Sequence, residues 1–193
     1  MTKTEIRKKI LQIRNNISDE FCNVKSGKIS GNFKKYVFPS LPKGKIIIYN
    51  SFKNEVKTNK IINFLINKRY EIYNPCIING RIIPCRLYSQ KQLSPGLYGI
   101  MEPIKKHRIK SMQNLNAIII PGIAFDKAGN RIGFGKGYFD EFLGKLNKNI
   151  LKIGLAFSFQ ILNKIPATKN DVKMDVIITD EEIIYANKKK KHI

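Results

Sequence analysis

The 193-residue sequence has no tryptophan, only two histidines, three cysteines and 14 acidic residues. No stretch approaches the roughly 18 apolar residues of a membrane-spanning helix. With so few histidines and cysteines, the sequence supports neither a Cys/His zinc cluster nor a Ser-His-Asp or Cys-His catalytic pair. Because Cys22, Cys76 and Cys85 form no Cys-x-x-Cys motif, we expect free thiols in a reducing compartment.

The charge balance is the next feature that limits function. The net charge is +22, but 29 of the basic residues are lysines and only 7 are arginines. The lysines are scattered, and the only run is NKKKK at 187–191. A nucleic-acid-binding module would combine clustered arginines with exposed aromatic residues, so we expect no specific nucleic-acid partner. The N-terminus lacks the apolar block of a signal peptide, which predicts a cytoplasmic protein without a membrane partner.

Helical and strand-like patterns alternate along the chain, without internal repeats. The first helix has Ile6, Ile10, Leu11 and Ile13 near one face. The segment from Ser89 to Ser111 contains Pro and Gly, and we expect a long loop there. The sequence predicts helices at 3–18, from Ser18 to about Tyr36, at 58–68 and after Gly137, and strands at 45–51, 70–75, 80–88, 116–122, 152–157 and 175–180.

This alternation predicts a Rossmann-like, three-layer α/β/α fold with a mainly parallel sheet. We expect one catalytic domain over 1–186, a basic and disordered C-terminal tail at 187–193, and a monomer. In such sheets ligands bind beyond the carboxyl ends of the strands. Three predicted loops lie there, at 50–55, 121–137 and 157–160.

The second of these loops leads into the motif GNRIGFGKGYFDEFL at 129–143. It matches neither a P-loop nor a dinucleotide turn, because the glycine spacing differs from both and Gly137 follows Lys136. Its chemistry nevertheless suits phosphate: glycine amides can approach a ligand closely, and Arg131 and Lys136 supply positive charge. Asp140, in the first turn of the following helix, could hold Mg²⁺ against the same phosphates. A glycine-rich turn with solvated charges is the alternative interpretation.

The longer stretch at 118–143 resembles the signature of the 5-formyltetrahydrofolate cyclo-ligase family. The family pattern is a strand ending in Pro-Gly, then Phe-Asp, then Gly-x-Arg-Leu-Gly-x-Gly-x-Gly-Tyr-Tyr-Asp; here Ile132 and Phe139 replace Leu and the second Tyr. The resemblance extends to about Thr179. Four further stretches agree in order: KTEIRKKILQIR, YNSFKNEVKTNKII, GLYGIMEP and IPATKNDVKMDVIIT.

The resemblance implies an enzyme that uses ATP and Mg²⁺ to convert 5-formyltetrahydrofolate to 5,10-methenyltetrahydrofolate, with release of ADP and phosphate. In that reaction the formyl oxygen is phosphorylated and a second folate nitrogen closes the ring. The protein then supplies positioning and charge stabilisation, without a covalent nucleophile. A different Mg-ATP-dependent kinase or ligase would use the same loop and differ in the pocket around Glu55.

The family roles fall on the following residues. Binding of ATP is assigned to Lys3, Arg7, Arg131, Ile132, Gly133, Phe134, Gly135, Lys136, Gly137, Tyr138 and Phe139, of which Arg131, Lys136 and Tyr138 are the catalytic candidates. Binding of folate is assigned to Asn50, Glu55, Phe134, Gly135, Lys136, Gly137 and Tyr138. Mg²⁺ is assigned to Asp140 and Asp171.

Overall fold

The computed structural model describes residues 1–96 and 99–187. The helices are α1 (Lys3–Asn15), α2 (Asp19–Asn32), α3 (Asn59–Asn67) and α4 (Tyr138–Gly144). The strands are β1 (Lys45–Ile48), β2 (Glu71–Ile78), β3 (Arg81–Leu87), β4 (Leu93–Pro95), β5 (Met101–Pro103), β6 (Leu115–Pro121), β7 (Ala124–Asp126), β8 (Arg131–Ile132), β9 (Leu151–Leu155), β10 (Ile161–Leu162), β11 (Val176–Ile178) and β12 (Ile183–Tyr185). Residues 188–193 of the predicted tail lie outside the described residues, whereas Asn187 donates hydrogen bonds to Asp175.

Seven strands form the central sheet in the order β12-β11-β9-β6-β1-β2-β3. The inner strands β11, β9, β6, β1 and β2 pair in parallel, and the two edge strands β12 and β3 pair antiparallel with their neighbours. Parallel neighbours need a crossover, which α3 makes between β1 and β2. The predicted α/β fold with a mainly parallel sheet is therefore confirmed.

Strand β1 shows why the sheet has helices on both faces. Its residues Ile46, Ile47 and Ile48 are all fully buried, which is typical of a parallel strand covered on both sides. Ile46 and Ile48 belong to the cluster that contains the buried side chains of α2 and α3. Ile47 belongs to the opposite cluster, which contains Leu143 of α4. Successive side chains of one strand thus reach two cores, and the protein has three layers.

Helix α1 begins with a capping box, in which the Thr2 hydroxyl accepts from the Glu5 amide and the Glu5 carboxylate accepts from the Thr2 amide. Ile6 and Ile10 are buried against β7 and β8, as predicted. Ile13, which was predicted near the same face, is 39% exposed. The buried stripe continues at a spacing of four residues and reaches Arg14, which is 2% exposed.

The region between β3 and β6 departs from the predicted long loop. Strands β4 and β5 pair antiparallel, and Ile104 donates back to the carbonyl of Gln92. Short pairings of this kind leave a weak periodic signal, which explains why the Pro and Gly content suggested a loop. Strand β5 contacts β2 and β3, so this small sheet lies beside the edge of the main one.

The cysteines and the lengths of the helices bear on two further sequence predictions. Cys22, Cys76 and Cys85 are free and buried, which confirms the prediction of unpaired thiols. Within 1–96 and 99–187, no helix combines the length and the apolar character needed to cross a membrane.

Candidate active site

A cavity of 580 Å³ lies where β1 and β6 end. Tyr49 and Asn50 enter it directly after β1, and Pro121 enters it from the end of β6. Every residue that the sequence assigned to ATP, folate or metal lines this cavity. These residues are Lys3, Arg7, Asn50, Glu55, Arg131, Ile132, Gly133, Phe134, Gly135, Lys136, Gly137, Tyr138, Phe139, Asp140 and Asp171.

The glycine loop between β8 and α4 forms one wall of the cavity. Gly135 and Gly137 have φ values of +98° and +72°, a region that residues with a Cβ rarely adopt. Arg7 of α1 holds the loop in place by a hydrogen bond, which its Nε donates to the carbonyl of Gly133 at 2.9 Å. A Cβ added to Gly135 would come within 3.4 Å of the Arg7 guanidinium. The loop is therefore open to solvent on one side and closely supported by α1 on the other.

Arg131 and Asp140 form an ion pair across the base of this loop. One terminal nitrogen of Arg131, Nη2, donates to both carboxylate oxygens of Asp140 at 3.1 and 3.0 Å, and Nη1 donates to the carbonyl of Pro121 at 3.3 Å. Arg131 is 6% exposed, and its guanidinium lies 5.7 Å from the centre of the Phe139 ring. Asp140 lies in the first turn of α4, as predicted. The pair connects β8 to α4 and holds the ends of the loop together.

Lys3 and Asp171 form a second ion pair, with 2.5 Å between Nζ and the carboxylate. The Thr168 amide and hydroxyl also donate to Asp171. Burial raises the pKa of Asp171, but the hydrogen bonds from Lys3 and Thr168 outweigh it, and the net result is a lowered pKa. Asp171 is therefore a carboxylate over the whole neutral range.

Asp140 and Asp171 offer the oxygen ligands that Mg²⁺ prefers. Among the described residues, neither this cavity nor any other place brings three His, Cys, Asp or Glu side chains together as a metal cluster. A site with two carboxylates fits Mg²⁺ that takes its remaining ligands from phosphate and water. The residues present are thus compatible with the metal that the sequence predicted.

The wall opposite the glycine loop is formed by β1, β2 and β5. The side-chain amide of Asn50 donates to Asn74 Oδ1 at 3.0 Å and to the carbonyl of Met101 at 2.8 Å. Asn74 in turn donates to the carbonyl of Ile48 at 2.7 Å and is 1% exposed. These bonds link three strands, so Asn50 is held in one orientation before any ligand arrives.

Glu55 is one of two buried acidic groups of this wall, the other being Glu102 on β5, and it is 6% exposed. Burial raises its pKa to about 7, although the Phe52 amide, which donates to it at 3.0 Å, and the charge of Arg14 both lower the pKa. A carboxyl that titrates near neutral pH in a cavity is a frequent mark of a functional site.

Three cavity or near-cavity residues were missed by the sequence reasoning. Asn74 interrupts the apolar pattern of β2, and that interruption was a usable signal. Glu102 is buried on β5, accepts from the Ile77 amide at 3.3 Å and pairs with Lys106 at 2.9 Å. It lies in the segment that was predicted as a loop. Arg14 follows Ile6 and Ile10 at a spacing of four, which placed a charge on the buried face of α1.

The fold and the cavity together define a class of protein. It is an α/β enzyme in which a glycine loop with several cations faces a largely apolar pocket that contains two buried carboxyls, Glu55 and Glu102. Such a cavity suits a reaction between a polyanion and a second, flatter substrate.

The comparisons with known proteins identify the family within that class. The model described as the 5-formyltetrahydrofolate cyclo-ligase family matches residues 1–180. The chain belongs to this family and is a ligase of folate metabolism. The 5-formyltetrahydrofolate cyclo-ligase of Mycoplasma pneumoniae is 31% identical over 183 residues, which cover 94% of this chain and 100% of that protein.

Two solved structures are similar to the whole fold. The 5,10-methenyltetrahydrofolate synthetase of Aquifex aeolicus has a TM-score of 0.81 and 34% identity, over 96% of this chain and 93% of the other. The synthetase of Mycoplasma pneumoniae has a TM-score of 0.77 and 29% identity, over 93% and 99%. The family that the glycine motif indicated is therefore confirmed by sequence and by fold.

Proposed function

We propose that this protein converts 5-formyltetrahydrofolate to 5,10-methenyltetrahydrofolate in a reaction that consumes ATP in the presence of Mg²⁺ and releases ADP and phosphate. The observation that carries the proposal is that two walls of different chemistry, one cationic and one largely apolar, meet in one cavity. One wall has the cations Lys3, Arg7 and Lys136, which suit a triphosphate, and the other has Asn50 and Glu55 in apolar surroundings, which suit a pterin.

In this proposal ATP supplies the phosphoryl group that makes the formyl oxygen a leaving group, and the folate's own nitrogen then closes the ring. The chain contributes positive charge and fixed positions. Arg7 supports the loop through Gly133, and Lys136 offers a point charge to phosphate oxygens. Arg131 is paired with Asp140. We therefore assign Arg131 the role of fixing the position of the Asp140 carboxylate, the proposed metal ligand, relative to the glycine loop.

Tyr138 and Phe139 begin α4 and line the junction between the two walls. We assign Tyr138 to contact with both ligands and Phe139 to packing on Arg131. Asp140 and Asp171 would hold Mg²⁺, whose charge offsets the repulsion between phosphate oxygens. No side chain is required to form a bond with the substrate, in agreement with the shortage of histidine and cysteine.

On the substrate side, Glu55 would accept hydrogen bonds from the ring N–H and amino groups of the pterin. A carboxylate suits that edge because both pterin groups are donors. Asn50 stands beside it with an amide whose nitrogen is already bonded to Asn74 and Met101. We therefore expect Asn50 to shape the wall and to present its carbonyl oxygen to the ligand.

The direct test measures the methenyl chromophore formed from 5-formyltetrahydrofolate, with and without Mg-ATP, while ADP and phosphate are counted in parallel. We expect chromophore and ADP in equal amounts only when Mg-ATP is present. The same assay on Lys136→Met tests the role of the loop lysine. Lys145→Met is its matched control, since Lys145 is an exposed lysine that pairs with Glu141 away from the cavity. Consumption of ATP with another small molecule, and no chromophore from folate, would point to a different kinase or ligase.

The cytoplasmic location, the monomeric state and the lack of a specific nucleic-acid partner remain predictions. The last can be tested by salt, because binding through scattered lysines should fall steeply as salt rises towards about 200 mM. A sequence-selective complex that survives such salt would contradict it.

A further inference from the structure

Arg14, in the last turn of α1, is a buried cation that the function proposed above does not use. Its side chain is 2% exposed, and neither Nε nor Nη1 has a hydrogen-bond partner among the described residues. Burying a charged group without partners normally destabilises a fold. The hydrogen bond that Arg14 does make, from the Asn54 side-chain amide, ends on its backbone carbonyl and needs no arginine. Packing alone therefore gives no reason for a guanidinium at this position.

The surroundings of Arg14 point towards the cavity. Its guanidinium lies 5.4 Å from the centre of the Phe134 ring, in cation–π contact with the glycine loop. Its charge also acts on the opposite wall, where it lowers the pKa of Glu55 and of Tyr49 against the larger, raising effect of burial. Phe134 and Glu55 both line the cavity. Arg14 thus contacts the glycine loop through Phe134 and the Glu55 loop through Asn54, the residue before Glu55, which donates to the Arg14 carbonyl at 2.8 Å.

We propose that Arg14 is a positioning residue for folate, which packs behind Phe134 and against the loop that carries Glu55, and supplies a positive charge to that side of the pterin site. The inference rests on the proposed function, because Glu55 must be a carboxylate to accept from two pterin donors. An unpaired guanidinium suits this task better than a salt-bridged one, since its charge is not neutralised by a nearer carboxylate.

Other charged or titratable groups face the same cavity and must be separated from Arg14 in any pH measurement. The Phe52 amide is the other polar contact that acts on Glu55. The remaining groups are Arg7, Lys136, Tyr49, Tyr138, Glu102 and the ion pairs Lys3–Asp171 and Arg131–Asp140.

The test compares Arg14→Met, Arg14→Lys and the parent by two measurements. In the ligand-free protein, the Glu55 side-chain carbon is followed by NMR across pH, with Glu55→Gln to assign the signal. With ligands, KM for 5-formyltetrahydrofolate and for Mg-ATP is measured at each pH. Arg108→Met, on an exposed arginine, is the matched control.

For Arg14→Met we expect the Glu55 midpoint to move up by about one pH unit, the order expected when a nearby opposite charge is removed. Near pH 7 the charged fraction of Glu55 would then fall from about one half to about one tenth, so KM for folate should rise about fivefold and recover at higher pH. KM for ATP should stay unchanged. Arg14→Lys should keep the parent's midpoint, because the charge remains. The melting temperature of Arg14→Met should not fall, since a costly buried charge is lost.

Three outcomes would overturn the inference. An unchanged Glu55 midpoint in Arg14→Met would show that the charge does not reach the carboxyl. Equal loss of folate and ATP binding with a lower melting temperature would make Arg14 structural, as would failure of both Arg14→Met and Arg14→Lys to fold. Failure of the proposed function looks different: the Glu55 midpoint would move as expected, while neither variant nor parent forms the methenyl product.

Discussion

The two walls of the cavity are built by different physical means. The glycine loop presents exposed backbone and long cations, with Phe134 52% exposed and residues 134–137 all open to solvent. The wall around Asn50 is buried, and its polar groups are bonded to one another before a ligand arrives. A mobile, strongly hydrated triphosphate can be held by charge and amide groups that adapt, whereas a flat pterin needs a fixed edge of donors and acceptors.

This difference implies separate sensitivities. Changes in the glycine loop should affect ATP and turnover, and changes in the buried wall should affect folate. The five predictions below test that separation, beginning with the largest effect.

Replacing Gly135 with valine should abolish ATP binding. Its φ of +98° is strained for any residue with a Cβ, and the added atom would press on Arg7. Calorimetric titration with Mg-ATP provides the measurement. Gly144→Val is the control, because Gly144 is exposed, lies outside the cavity and has open space where a Cβ would be added. Normal ATP affinity in Gly135→Val would show that the backbone does not approach the ligand.

Replacing Lys136 with methionine should lower kcat by about 10²–10³-fold, the range found when one group that stabilises a transition state is removed. Stability should hardly change, because the residue is exposed. Single-turnover formation of the methenyl product, compared with Lys145→Met, measures the effect. A loss confined to KM for ATP, with kcat intact, would assign Lys136 to ground-state binding instead.

Replacing Glu55 with glutamine should weaken folate binding by about 1.5–3 kcal/mol, roughly 10- to 100-fold in Kd, and leave ATP binding unchanged. The shape is retained while the charged acceptor is lost. Calorimetry with each ligand separately gives the two affinities, with Glu20→Gln as an exposed control. If both affinities fell together, the loop that carries Glu55 would be structural and the two walls would not be independent.

Lowering the pH from 8 to 6 should weaken folate binding about tenfold in the parent protein. The pKa of Glu55 is raised by burial to about 7, so the carboxylate prevails at pH 8 and the neutral acid at pH 6. Because folate is expected to bind the carboxylate, affinity falls as the proton is taken up. The same titration on Glu55→Gln should be flat over this window. A slope that persists in that variant would assign the titration to another group.

Replacing Asp140 with asparagine should have the smallest effect, a higher Mg²⁺ requirement with little change at saturating metal. The amide keeps the shape but is a weaker ligand, and Asp171 remains. Activity is measured against Mg²⁺ at fixed ATP, with Asp19→Asn, at an exposed residue of α2, as the control. Because Asp140 also pairs with Arg131, the melting temperature must be followed; a large drop with an unchanged Mg²⁺ curve would make the residue purely structural.

Much of the fold and cavity could be predicted from local sequence. Buried parallel strands are short continuous apolar runs, and KIII of β1 shows this clearly. Asn79 and Gly80, both with positive φ, make the tight turn between β2 and β3 that their residue types indicated. The glycine motif is also local, because its spacing specifies the backbone, the cations and the first helical turn within fifteen residues of chain.

The sequence could not predict the interactions between segments that lie far apart along the chain. The pairing of Lys3 with Asp171 joins residues 168 positions apart, and that of Arg7 with Gly133 joins residues 126 positions apart. The small sheet of β4 and β5 was missed because its strands are short and form only against the edge of the main sheet.

The sequence by itself determined the alternation of helices and strands, the glycine-rich loop and the family, because each depends on residue types at fixed spacings. The tertiary structure alone decided the chemistry of the wall that contains Asn50 and Glu55. Burial in the folded core moves the pKa of Glu55 towards neutrality, and the packing of α1 places Arg14 against Phe134 and against Asn54, the residue before Glu55. Both effects depend on desolvation and on distances across the fold, and neither quantity exists in an extended chain.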